Sequence, residues 1–298
     1  MRTLSAGGLA VAAVLSLSAC GGGSDPASRP APSPGDIRDL TGLAPPVETG
    51  QAQQARQQAI YAGSDSLVVS TTYAETVLLD ETHSIRWLAE CSGRACERLD
   101  PVTGQTITFE LGANEVTLGD AEAIGSAHGI TLTSETTRGE RLDRNSFGAW
   151  MEHGVFTLED DRATGEDYEA SIVYTLAAGA LAGRPPSGSA TWLGIMVGTP
   201  VAGENRGNRL VGTAALNYDM AAGVLDAGFS GIKDIDRGTA HSVEAVIFSD
   251  LEVGPDGAFS RGQSGGRIQG GFYGPGHAEA GGIFEQSGIV GAFGAKRQ

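Results

Sequence analysis

Several short patterns in this chain hold residues whose types and spacing could do chemistry. Gly262-Gln263-Ser264-Gly265-Gly266 fits the Gly-x-Ser-x-Gly frame, which exposes a nucleophilic serine on a sharp strand-to-helix turn. The next residues, Arg267-Ile268-Gln269-Gly270-Gly271, form a strand-like run, and in a chain with 45 glycines the frame arises by composition. No catalytic residue is therefore assigned. Cys91 and Cys96 enclose Ser-Gly-Arg-Ala, and in an oxidising compartment that spacing favours a disulfide closing a small loop. A zinc site would need further Cys or His at ligand spacing, and none is near. Asp160-Asp161-Arg162 to Asp167 puts Gly165 where a calcium loop needs glycine, yet Arg162 stands at a ligand position and the closing Glu is missing. That segment reads as a solvated acidic turn. His83, His128, His153, His241 and His277 never pair at metal-ligand spacing, so no metal or cofactor is expected; a lone axial haem contact from His241 or His277 is the remaining alternative. Trp87, Trp150 and Trp192 are expected as core anchors, since aromatics make up only 6% of the chain.

The pattern most specific in chemistry lies at the start. Arg2 precedes an apolar run from Leu9 to Leu17, too short to span a bilayer, which ends in Ser18-Ala19-Cys20. Leu17-Ser18-Ala19-Cys20 resembles the bacterial lipobox, in which the thiol receives diacylglycerol, the chain is cut before the Cys, and the new amino terminus is acylated. Residues 1–19 are then a signal peptide and Cys20 is a lipid anchor, with two or three acyl chains to hold it firmly. Gly21 after the anchor, by resemblance to enterobacterial sorting, directs the protein to the outer membrane. Residues 20–62, rich in Gly and Pro at their start, read as a disordered tether with one short helix over Glu48 to Ala62.

The formal net charge is −16, which argues against nucleic acid as a partner, because phosphate binding needs clustered Lys and Arg. Residues 20–185 hold 25 acidic and 11 basic side chains, so the acidity belongs to the N-terminal half. A solvated surface accounts for it, and steering of a basic partner is the sharper alternative.

The elements that would position these residues are strands. Ser66–Thr72, Thr106–Leu111, Glu115–Leu118, Ile130–Thr137, Phe147–Glu152, Val155–Glu159 and Tyr168–Leu176 are short β-prone runs separated by turn residues, with Ser84–Glu90 ambiguous. Arg184-Pro185-Pro186-Ser187-Gly188 marks an internal boundary. Beyond it come eight evenly spaced runs: Ala190–Val197, Arg209–Met220, Gly223–Ile232, His241–Asp250, Gly257–Arg261, Gly266–Phe272, His277–Phe284 and Gly288–Gly294. Leu210, Gly212, Ala214 and Leu216 alternate with Val211, Thr213, Ala215 and Asn217, and small residues crowd one face. Eight antiparallel strands with small residues inward predict a barrel that fills itself with side chains.

Gly271-Phe272-Tyr273-Gly274-Pro275-Gly276-His277-Ala278-Glu279-Ala280-Gly281-Gly282-Ile283-Phe284, with Gly291-Ala292-Phe293-Gly294-Ala295-Lys296-Arg297 after it, resembles the terminal hairpin of the transferrin-binding protein B family. The resemblance covers about Gly188 to Arg297. It implies a β-rich handle domain over 63–185, an antiparallel β-barrel over 186–298, lipidation, cell-surface display, and non-enzymatic capture of a host or environmental iron- or haem-carrier protein, with an outer-membrane transporter as partner. The full expectation is an all-β chain: a C-terminal eight-stranded antiparallel β-barrel preceded by a handle domain and a disordered lipidated tether. Two-lobed members are longer, so this chain has room for one lobe, and no ligand-binding residue is transferred. An envelope-associated lipoprotein without nutrient capture is the alternative.

Overall fold

The computed structural model describes residues 31–298 apart from 79–80, 86–87, 93–94, 100–103, 111–119, 139–141, 165–167, 186–188, 220 and 264. Pro32–Gln298 form one compact unit. Among the described residues, the chain is mostly strand, arranged as two antiparallel sheets.

The first sheet is built from β1 (Ser66–Leu78), β2 (Glu81–Ile85), β3 (Leu88–Ser92), β4 (Ala95–Leu99), β5 (Thr106–Glu110), β6 (Ala121–Ala127), β7 (Ile130–Arg138), β8 (Leu142–Trp150), β9 (Gly154–Thr164) and β10 (Tyr168–Gly179). Their order is β5-β4-β3-β1-β10-β9-β8-β7-β6, with β2 also on β1. The ambiguous run at Ser84–Glu90 falls on β2 and β3, which pair with successive stretches of β1. The run at Glu115–Leu118 lies outside the described residues. Strand β6, AEAIGSA, has little β-branched character. It is fixed by tertiary context instead: Ile124 is buried and Ser126 bridges Ala44.

Two helices precede this sheet, and they correct the expectation of a tether reaching residue 62. Helix α1 (Pro34–Thr41) begins with a complete capping box between Ser33 and Asp36 and stops at Gly42, whose φ is 72°. Its Ile37 is buried, and Arg38 Nη1 donates to the Ile124 carbonyl at 2.7 Å. Helix α2 (Gly50–Gly63), capped by Thr49, lies across the first sheet. There Gln53 Nε2 donates to Thr131 O at 2.6 Å, and Gln53 Oε1 accepts from Trp150 N at 2.7 Å, tying α2 to β7 and β8. The chain folds from Ser33 because these caps and docking bonds satisfy the helix ends and bury an apolar face, despite the nearby prolines.

The second sheet contains β11 (Ala190–Pro200), β12 (Leu210–Asp219), β13 (Val224–Asp234), β14 (Thr239–Ala240), β15 (Ala245–Glu252), β16 (Ala258–Gln263), β17 (Gly266–Tyr273), β18 (Glu279–Gln286) and β19 (Ile289–Arg297). Its main path is β13-β12-β11-β19-β18-β17-β16, with β14 and β15 both on β13. The eight expected runs match β11–β13 and β15–β19. The expected complete barrel is not formed as a continuous ladder: among the described residues β15 and β16 share no ladder, and an isolated bridge, Val253–Phe259, joins the chain just past β15 to β16. A bulge explains the seam. Asp250 takes φ 56° and its N–H turns to Asp226 Oδ1 at 2.9 Å, shifting the β13–β15 register. The Ser249 carbonyl is then met by the guanidinium of Arg261 from β16.

Inside the rolled sheet the expectation of small residues is also corrected. Eight aromatic rings, Trp192, Tyr218, Phe229, Phe248, Phe259, Phe272, Phe284 and Phe293, fill the interior between alanines. Phe229 stacks on Phe284 with centroids 4.2 Å apart. Each such ring contributes about 1.5–3 kcal/mol by burial. Leu210, Ala214 and Leu216 do point inward together, while Val211 faces out. That outer face packs on the first sheet, where Phe147, Phe156, Leu158 and Val173 meet Ile195, Val197, Val211 and Ile283. The first sheet is thus covered by α2 on one side and by the rolled sheet on the other.

Candidate functional site

The joint between the two sheets leaves two clefts along α2. The larger, about 420 Å³, lies between α2, the turns β6–β7 and β8–β9, and the end of β19. Its apolar wall is Ile130, Trp150 and Met151, and its charged groups are Glu48, Arg56, Glu152 and Lys296. The Arg56 guanidinium forks onto Glu48 with two contacts of 2.8 Å and also donates to the Trp150 carbonyl. Lys296 stands opposite Glu279 in the β18–β19 register. Glu279 is buried and accepts the backbone N–H groups of Glu152 at 3.0 Å and His153 at 2.9 Å, so a strand of the second sheet caps a turn of the first. Burial pushes the Glu279 carboxyl above its ordinary range, against those N–H groups and the nearby charges of His153 and Lys296. The smaller cleft, about 200 Å³, shares Arg56 and Glu152 and extends to His153 and Gly274.

A wider groove of about 780 Å³ runs along the seam, with Ser66 and Val68 of β1 on one side and Glu252, Ser260 and Gln269 of the rolled sheet on the other. Behind it Arg267 and Glu285 form a buried ion pair at 3.5 Å, and Arg267 Nη2 reaches the Val69 carbonyl at 2.9 Å. These surfaces offer hydrogen bonds and mixed charge beside apolar walls. That is the chemistry of non-covalent recognition.

No protein-family model and no curated protein matches the chain. Solved structures do match. The chain is similar to transferrin-binding protein B. A double mutant of that protein from Haemophilus parasuis aligns with 74% of this chain and 46% of its own length at 17% identity and a TM-score of 0.43. A transferrin-binding protein B structure from Actinobacillus pleuropneumoniae aligns over 79% of this chain and 100% of its own, at 12% identity and 0.38. The N-lobe of lactoferrin-binding protein B from Moraxella bovis aligns over 79% and 99%, at 10% and 0.34. The chain spans about half of the first of these, and 46% of an intact transferrin-binding protein B with N and C lobes. At these TM-scores the likeness carries neither activity nor partner across.

The residues singled out by sequence are dispersed. Cys20 lies outside the described residues. Cys91 and Cys96 stand directly opposite each other in the β3–β4 register. Ser264 lies outside the described residues, and its neighbours Gln263 and Gly266 pair across a β-hairpin, so the strand-to-helix elbow of a hydrolase is missing there. Of the histidines, His128 and His153 sit in separate turns, His241 Nδ1 accepts from Val243 N at 3.1 Å, and His277 is buried with Nε2 3.1 Å from Gly183 O. Among the described residues no group of His, Cys, Asp and Glu could hold a metal ion. Trp150 and Trp192 are core residues, as expected, and Trp87 lies outside the described residues. The acidic turn is corrected: Asp160 and Asp161 belong to β9, and Asp161 is bonded to Arg144 rather than solvated.

Proposed function

We propose that this protein is a surface lipoprotein, anchored through Cys20 to the outer membrane, whose single lobe captures an iron- or haem-carrying protein without catalysis. The observation that carries this reading is where the family-like terminal phrase sits. Gly271–Phe284 and Gly291–Arg297 supply the end of β17 and most of β18 and β19, whose inner face holds Phe272, Phe284 and Phe293 and whose outer face receives the first sheet. The motif therefore helps build the shared core that joins both sheets in one compact unit. A rigid β scaffold with clefts and turns at its margins suits recognition by loops. The solved structures similar to it are named for binding transferrin and lactoferrin, and an iron carrier is the partner class this reading adopts for this chain. An outer-membrane transporter that receives the cargo, and a disulfide between the facing Cys91 and Cys96, belong to the same reading.

Retention tests it. The full chain, immobilised and challenged with host serum and in parallel loaded onto haem-agarose, is expected to retain an iron carrier or to be held by haem. Retention in neither arm would overturn capture and favour the envelope-associated alternative.

A further inference from the structure

Beneath α2 the first sheet carries ionisable groups that the clefts do not use. Among the described residues, three carboxyls, Glu135 of β7 and Glu159 and Asp161 of β9, share that face with one guanidinium, Arg144 of β8. Arg144 is committed to Asp161, with Nε at 2.7 Å and Nη2 at 2.6 Å, and the Tyr174 hydroxyl donates to the same carboxylate at 3.2 Å. Glu159 lies 3.9 Å from Arg144 Nε and is held by hydroxyls, Thr157 Oγ1 at 2.5 Å and Ser146 Oγ. Glu135 accepts Gln57 Nε2, on α2, at 2.7 Å. Both glutamates are buried.

We propose that α2 is a proton-held strap, docked on the first sheet while Glu135 and Glu159 are protonated and loosened when they ionise. With Arg144 already forked onto the half-buried Asp161, the buried Glu135 and Glu159 have no counter-ion of their own in that pairing, and a buried charge without one is costly. The titratable and charged groups facing the two glutamates are Arg144 from β8, Asp161 from β9, Tyr174 from β10 and Tyr61 from α2. Arg144 is the one cation among the described residues whose charge acts on them.

The direction agrees. Burial pushes Glu159 from 4.5 up to about 7, with Asp161 adding to the rise and Arg144, Ser146 and Thr157 opposing it. Burial likewise raises Glu135 against Gln54, Gln57 and Arg144. A carboxyl raised in the docked state favours docking below its free value. That advantage fades as pH climbs from 4.5 and is gone above about 7. Since Arg56, Ala59 and Ile60 of α2 also wall the clefts, loosening the strap would reshape them.

Hydrogen exchange of the full chain, corrected for intrinsic rates, tests this. Protection of residues 50–63 is expected to fall about thirtyfold between pH 5.5 and 8.5, the ratio set by the Glu159 shift alone, while residues 289–297 keep theirs. With Glu159→Gln the pH dependence of α2 should flatten and protection persist at pH 8.5. If that variant loses protection in residues 289–297 as well, and so is misfolded, Glu135→Gln is the substitute and should shrink the wild-type fall. Constant α2 protection in the wild type, or a wild-type fall in a folded variant, would overturn the proposal.

Discussion

The ring of Tyr273, at the end of β17, lies on the backbone of Gly179, at the end of β10. A methyl group on Gly179 would stand 2.5 Å from that ring, and one on Gly294 of β19 would collide with the Phe156 ring of β9. Each sheet thus offers a glycine socket to an aromatic ring from the other. Gly179→Ala is expected to destabilise the chain by about 1–3 kcal/mol through overpacking, and Tyr273→Ala by about 3–5 kcal/mol through the cavity it leaves. Urea unfolding should show both as lowered midpoints. Midpoints within error of wild type would mean that the sheets do not depend on these contacts.

Glu279 joins the sheets through polar contacts. Replacing it with Ala removes the acceptor of two backbone N–H groups, those of Glu152 and His153, at a cost of about 2–4 kcal/mol. Gln keeps one acceptor oxygen and should cost less. Thermal melts that rank Ala and Gln equally would show the cap to be unimportant.

The stability of the whole unit should depend on pH through Glu159. Its raised carboxyl makes folding more favourable in mild acid, and about 3 kcal/mol is lost between pH 4.5 and about 7. Glu159→Gln should reduce that slope in denaturant titrations across the same range. A wild-type slope left intact in the variant would contradict this.

Cys91 and Cys96, opposite each other in the β3–β4 register, are expected to be joined by a disulfide. Mass spectrometry after alkylation without reductant should find neither thiol modified. Changing both to Ser should cost about 2 kcal/mol, the contribution of a small closed loop. Quantitative alkylation of both thiols in unreduced protein would rule out the bridge.

The legible parts of the fold were those specified locally. Alternation and turn residues gave the eight runs of the second sheet, because Met220-Ala-Ala-Gly223 and Pro255-Asp256-Gly257 end strands by their own conformational preferences. Helix α1 was also written in the chain, as Ser33-Pro34-Gly35-Asp36, a capping-box signature that its proline-rich neighbourhood obscured. The seam was not legible, since the Asp250 bulge depends on Asp226, a residue on another strand. Nor was the group under α2: Glu135, Glu159 and Asp161 look like solvated strand residues until the helix is laid over them. The clefts share that limit, for Lys296 and Glu48 line one cleft only when the last strand is brought beside α2.

Binding of labelled host iron carriers to intact cells tests the central claim most directly, because anchor, display and capture must all operate. Cells making the wild-type chain should bind a carrier saturably, and cells making Cys20→Ser should lose that binding while the released protein still retains the carrier in solution. No binding by wild-type cells, or binding unchanged by Cys20→Ser, would contradict the account.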